Sequence, residues 1–283
     1  MNDAVDRKCE ELARLMESVL ADTPLGPVAG GFMRELGSGK MLRGRMAIEL
    51  AEASGAEQAR ILNIAAAVEM IHAASLVHDD VIDGGTLRRG VPTFWLEHGV
   101  QGAILFGDML LFKAIQMVRK IGDPALLETV IDLTGEVCIA EVQQELVLRG
   151  GDADWDTCIS LARRKTGALF AISAYAAGTD ADMAAALKEA GYLIGTAYQL
   201  CDDMLDAGGD EELARKSLGS DSARRKTTAA SVAGADRDAA LGIISGLLAE
   251  AARQLAPWPR LSERWKDFCA KVINPVLESF VGA

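Results

Sequence analysis

The sequence predicts an all-α fold, one large helical bundle over residues 1–283, on three observations. Apolar residues recur at helical spacing along nearly the whole chain, alanine is abundant, and alternating β-branched runs bounded by turns are absent. A chain of 283 residues can bury a substantial core, and no linker or low-complexity stretch divides it.

In order, helices are expected over 3–20, 27–36, 41–54, 57–82, 101–121, 124–149, 155–177, 181–206, 222–232, 236–255 and 260–280. Pro24, Pro92, Pro124 and Pro257, with Gly84, Gly85, Gly208 and Gly209, mark the breaks. The first helix carries acids among its apolar positions, which suits a soluble amphipathic helix and not a secretory leader. The helix over 57–82 is apolar on almost every face, so it belongs at the centre of the bundle. At 1.5 Å per residue it reaches about 40 Å, enough to line a deep cavity. No apolar run is expected to approach the roughly 20 residues of a membrane span, so no integral membrane segment is expected. The net charge of −12 argues against a nucleic-acid surface, which needs a basic footprint. Cys9, Cys138, Cys158, Cys201 and Cys269 form no CxxC pair and read as buried free thiols in a reducing cytoplasm.

The central helix ends in EMIHAASLVHDDVIDGGTLRRGVPT. Asp79 and Asp83 are spaced i, i+4 and share a face, with Asp80 about a third of a turn round. The C-terminal end of a helix is partly negative, so three carboxylates gathered there need a cation. Oxygen donors with room for water suit Mg²⁺, whose shell phosphate oxygens complete. Arg88 and Arg89 follow at once, with forked donors shaped for phosphate. The device recurs at GYLIGTAYQLCDDMLD, where Asp202 and Asp206 are again i, i+4 and flank Asp203. Two acidic helix ends facing each other could hold a metal cluster around one phosphorylated ligand.

Gly37–Arg45, GSGKMLRGR, fails as a Walker A loop, because Arg34 stands at the first glycine position and Met41 follows the lysine. It leaves Lys40, Arg43 and Arg45 behind a glycine turn, opening a helix whose amides favour anions. Glu69 and His72 match the Glu-x-x-His of di-iron bundles, but neither His78 nor His98 supplies the second pair, so that reading fails. Arg163, Arg164, Lys165 and Thr166 interrupt an apolar helix. Lys216, Asp221 and Lys226 lie in a loop that could close over a phosphate.

Together GSGKMLR, HAASLVHDDVIDGGTLRRGVPT, RRKTGALF, YQLCDDMLD and the lysines at 216 and 226 resemble the trans-polyprenyl diphosphate synthase family. The resemblance implies the isoprenoid synthase fold, an all-α bundle around a deep pocket, and a homodimer in the cytoplasm. It implies that isopentenyl diphosphate lengthens an allylic diphosphate. Asp79, Asp83 and Asp202 would ligate three Mg²⁺, supported by Asp80, Asp203 and Asp206. Arg88, Lys165, Lys216 and Lys226 would grip the allylic diphosphate; Lys40, Arg43, His72 and Arg89 would hold isopentenyl diphosphate. Six carboxylates and a diphosphate outweigh three Mg²⁺, and Arg88, Lys165 and Lys216 would supply the missing positive charge. The allylic cation would lie against the Lys165 carbonyl, the Thr166 hydroxyl and the Gln199 side chain.

Ser38, Met41 and Gly44 depart from the family pattern, replacing a glycine, an arginine and a proline, and Tyr198-Gln199 replaces Phe-Gln. The tail VINPVLESFVGA lacks the basic ending common in relatives. Product length is expected from Ala74 and Ser75, then Met70 and Ile71, then Ala67, with a floor from Leu105, Met109 or Val142. Small residues at 74 and 75 imply products of four to seven isoprene units, from twenty to thirty-five carbons. A class I terpene cyclase would replace the second acidic motif and lack the Lys40–Arg43 site, and a non-catalytic partner subunit would have lost acidic residues. Neither departure is seen.

Overall fold

The computed structural model describes residues 3–21, 23, 24, 26, 28, 32, 39–88, 90–151, 154–208, 228–233 and 237–275. Arg89, Lys216, Asp221, Lys226 and most of the helix expected over 27–36 lie outside these residues, as does the end of the tail.

Helices α1 (Asp3–Ala21), α2 (Leu42–Ser54) and α3 (Gln58–Asp83) come first. A two-residue hairpin, β1 (Leu87–Arg88) and β2 (Val91–Pro92), precedes α4 (Phe94–Ile121) and α5 (Pro124–Leu146). Helix α6 (Trp155–Ala162) runs through one π-helical turn (Arg163–Gly167) into α7 (Ala168–Tyr175), and α8 (Ala181–Gly208) carries the second acidic motif. Helices α9 (Ala229–Ala233), α10 (Arg237–Gln254) and α11 (Pro259–Val272) complete the order. The fold is all-α, and the helix expected at the centre is there: Ile64 to Met70 of α3 are buried on every face. Around it pack α1, α2, α4 and α7. Helix α11 closes the α2 side by its stripe of Leu261, Trp265 and Phe268, spaced i, i+4, i+7, each contributing about 1.5–3 kcal/mol by burial.

The helix expected over 101–121 is there as the part of α4 beyond a kink at Gly99 (φ 75°), with a short helical stretch from Phe94 ahead of it. Four other expectations need correction. The helix expected over 155–177 is interrupted by the π turn, where the charged run falls. Cys138 is exposed and Cys269 half-buried, so only Cys9, Cys158 and Cys201 are buried thiols. Finally, α3 and α4 are long and apolar enough to cross a membrane by length and composition; 67% of the apolar window of α3 is buried in the fold, against 33% for α4. The remaining apolar surface of α4 faces outward, beside α5. Leu105 (68% exposed) and Val142 (56%) lie on that face, so neither is an internal floor; Met109 packs against the core.

Candidate active site

The first acidic end is built by a sharp reversal. Gly84 ends α3 in the left-handed region (φ 65°), where its N–H reaches back to the last turn. The hairpin then returns the chain, and its base is closed on Gly85, whose carbonyl accepts from Thr93 Oγ1 and Trp95 Nε1, each at 2.7 Å. Arg88 is thereby aimed back at α3, where its Nε sits 3.1 Å from both oxygens of Asp80 and its Nη2 2.7 Å from Oδ1. Asp80 is buried, while Asp79 and Asp83 flank it half-exposed. The middle carboxylate thus engages a protein cation, and the two outer ones share the open face.

The second end is built differently. Asp203 Oδ1 accepts from Gln199 Nε2 at 2.7 Å and Oδ2 from the backbone N–H of Ala229, at the start of α9, at 2.9 Å. Gln199 Oε1 in turn accepts from Thr166 Oγ1 at 2.5 Å. Burial pushes the Asp203 carboxyl up to about 6, against the pull of these donors; Asp202 adds to the rise and Lys165 opposes it. The chain Thr166–Gln199–Asp203–Ala229 joins the π turn, α8 and α9.

The π turn is fixed on three sides. Arg163 pairs with Glu189 (Nη2 to Oε2, 2.6 Å) and lies 4.0 Å over the Tyr192 ring. Arg164 donates to Gln143 Oε1 at 2.8 Å. Lys165 Nζ donates to Gln144 Oε1 at 2.7 Å and pairs with Glu141 Oε1 at 2.9 Å. Helix α8 approaches without side chains between: a Cβ on Gly195 would lie 2.7 Å from Gly167 Cα, and one on Gly191 2.6 Å from the Phe170 carbonyl. Glu141 and Gln144 are not anticipated from the sequence, although their i, i+3 spacing places them on one face of α5. The Ala229 amide has no side-chain signal at all.

Of the basic loop, Lys40 is exposed. Arg43 turns inward, its guanidinium 5.1 Å over the Phe170 ring, with Nε buried and unpartnered. Burial holds its pKa below the usual arginine value, opposed by the charges of Glu69, Tyr198 and Asp202. Arg43 thus carries the start of α2 in against Phe170 of α7. His72 is half-buried on α3, and the Ser75 hydroxyl donates to its carbonyl at 2.8 Å. Ala67, Met70, Ile71 and Ala74 are buried on the same helix, Ser75 half-buried. Asp206 lies in α8, its side chain outside the described part.

Among the described residues, no three His, Cys, Asp or Glu side chains converge into a preformed metal cage. Asp79, Asp83 and Asp202 are half-exposed oxygen donors, the kind that a hard divalent cation takes.

The family model of the polyprenyl synthetases matches residues 33–252. A short chain isoprenyl diphosphate synthase of Methanothermobacter thermautotrophicus is 33% identical over 232 residues, covering 78% of this chain and 71% of the relative. An octaprenyl diphosphate synthase of Haemophilus influenzae is 32% identical over 227 residues, covering 77% and 68%. A polyprenyl synthase of Caulobacter crescentus, solved in complex with calcium and isoprenyl diphosphate, superposes with a TM-score of 0.82 at 26% identity over 94% of this chain and 95% of that one. With the family model spanning both acidic helix ends and the π turn, the chain belongs to the polyprenyl synthetase family and is a prenyltransferase.

Proposed function

We propose that the protein is a Mg²⁺-dependent trans-polyprenyl diphosphate synthase condensing isopentenyl diphosphate with an allylic diphosphate. The observation that carries this reading is the hydrogen-bonded run from Thr166 through Gln199 to Asp203, which sets oxygen atoms beside Lys165 and the second acidic end. A solved relative bound to calcium and isoprenyl diphosphate supports divalent metal use.

Asp79, Asp83 and Asp202 would hold three Mg²⁺, which when bound supply positive charge to the departing diphosphate. Asp80, Asp203 and Asp206 act behind them. Arg88 and Lys165 grip the allylic diphosphate with Lys216 and Lys226, and both described cations stand pre-oriented on Asp80 and on Glu141 with Gln144. The allylic C–O bond breaks as these charges take up the leaving group. Asp203, an acceptor when ionised, fixes the Gln199 amide so that Oε1 faces Thr166. Thr166 then spends its proton on Gln199, and both oxygens turn lone pairs toward an allylic cation. The π turn adds the Lys165 carbonyl, because such a turn departs from the regular helical hydrogen-bond ladder. Lys40, Arg43, His72 and Arg89 hold isopentenyl diphosphate, whose double bond attacks. The new C–C bond forms as a proton leaves to the released diphosphate.

The growing chain runs along α3 past Ala74 and Ser75 toward Met70, Ile71 and Ala67, in a product of four to seven isoprene units. The relatives' names span short-chain to octaprenyl products. The outward face of α4 and α5, with Leu105, Phe112, Ile139 and Leu146 all more than 60% exposed, is what a homodimer would cover. Light scattering reads that mass directly, and the assembled protein would work in the cytoplasm.

Incubating the pure protein with Mg²⁺, isopentenyl diphosphate and allylic primers of graded length should yield elongated diphosphates. Cyclised hydrocarbon from primer alone would point to a terpene cyclase. Activity only after a second subunit is added would point to a heteromeric partner.

A further inference from the structure

A buried carboxylate outside both acidic motifs, Glu69, is 2% exposed on α3. Its Oε1 accepts the backbone N–H of Gly44 at 2.8 Å. The first amides of a helix have no partner inside it, and the N-cap side chain commonly accepts from the third residue. The N-cap of α2 is Met41, left-handed at φ 40° and without a side-chain cap bond, and a thioether is a poor acceptor. Gly44 is that third residue, and Glu69 caps it from another helix. The contact depends on this chain's own departure from the family pattern, since a proline at 44 would offer no N–H. It also depends on the missing side chain: a Cβ on Gly44 would lie 2.5 Å from Leu12 Cδ2 and 3.4 Å from Glu69 Cγ. The neighbouring residue is Arg43, on which Glu69 exerts the largest charge effect of any group.

We infer that Glu69 is a positioning residue that caps the first turn of α2 from α3 and so sets Arg43 for the homoallylic diphosphate. The inference rests on reading Lys40 and Arg43 as the isopentenyl diphosphate site. What matters is the Glu69 oxygen that accepts the Gly44 N–H, not the carboxylate charge.

KM is measured for isopentenyl diphosphate and for the primer separately in Glu69→Ala, Glu69→Asp, Glu69→Gln and Arg43→Ala. Glu69→Ala should raise KM for isopentenyl diphosphate about tenfold, the scale of one lost cap, with primer KM within about twofold. Glu69→Asp keeps the charge but withdraws the carboxylate by about 1.5 Å, and should show the same selective rise even if the alanine variant folds poorly. Glu69→Gln keeps the acceptor and should behave as wild type. If Arg43→Ala is selective for isopentenyl diphosphate while Glu69→Asp is silent, or if Glu69→Gln is as impaired as Glu69→Asp, the positioning role is overturned. If Arg43→Ala instead raises only the primer KM, the two-site assignment fails, and this inference falls with it.

Discussion

The two acidic helix ends share one sequence device and differ in what holds the middle carboxylate. At the end of α3, Asp80 is clamped by the guanidinium of Arg88. At the end of α8, among the described residues, Asp203 accepts from an amide N–H and a backbone N–H, with no guanidinium clamped on it. A full positive charge neutralises the first, while the second is desolvated among dipoles and its pKa rises to about 6. The shafts differ too. Helix α3 sets alanines (Ala65, Ala66, Ala67, Ala73, Ala74) among larger apolar side chains, whereas α8 meets the π turn and α7 backbone to backbone through Gly195 and Gly191. On the proposed function, the first end would grip a charged headgroup with a long chain beside it, and the second would fix oxygens against a reacting carbon.

The sharpest test of the shared part is loss of an outer carboxylate from each end. Asp79→Ala and Asp202→Ala should each lower kcat by at least about 10²-fold, the scale of losing one electrostatic stabiliser. Near-normal turnover of either with Mg²⁺ would remove that residue from the metal site.

The unshared part is tested by the middle positions. An asparagine at 203 can accept only one of the two N–H groups now bound to the carboxylate, which lets the Gln199 amide turn its donor toward Thr166. Asp203→Asn should lower kcat about tenfold, about 1.4 kcal/mol of barrier, with the Mg²⁺ half-saturation point unmoved. Asp80→Asn weakens a charge-assisted pair and should raise the primer KM a few-fold with kcat nearly kept. If the two variants share one kinetic signature, the distinction between the ends is wrong.

The sequence made both acidic ends legible because i, i+4 spacing on a helix is a local property. It made the shaft of α3 legible because a helix apolar all round is stable in water only when it is buried. The hairpin was not legible: two residues per strand leave no alternation to read. Nor was the π turn, since RRKT gives charge but no backbone geometry. Cys138 was misplaced because a helix apolar on its outer face looks the same in sequence as a core helix. The cap from Glu69 and the Ala229 amide join residues far apart in the chain, and only the packing of helices brings them together.

The contact between α8 and the π turn is open to a single methyl group. Gly195→Ala would place that carbon 2.7 Å from Gly167 Cα, where backbone and not a flexible side chain must yield. Overpacking of this kind costs about 1–3 kcal/mol, so the melting temperature should fall by several degrees. A glycine-to-alanine change on an exposed helix face would instead stabilise by propensity, so an unchanged or raised melting temperature would show that α8 can stand off from the π turn.

The α3 shaft gives the subtlest variant, because it should change which product leaves and not whether one forms. Ala74 lies five residues before Asp79, on a buried stretch where Ile71 and Met70 follow one turn further from the acidic end. One helical turn is about 5.4 Å, close to the length of one extended isoprene unit, so on the proposed reading each turn of α3 would measure about one condensation. At Ala74 the side chain is a single methyl, and the neighbouring Ser75 hydroxyl is occupied with the His72 carbonyl. Neither residue blocks a chain descending from the acidic end. Ala74→Phe would fill that space with a ring, stopping growth before the fourth unit while leaving both acidic ends and the Thr166–Gln199 pair untouched. Product chromatography should then show a shift toward fifteen carbons with condensation still running. Met70→Ala, one turn deeper, should move the distribution the opposite way. If an active Ala74→Phe enzyme gives the wild-type distribution, the chain descends along a different helix and α3 is not its ruler.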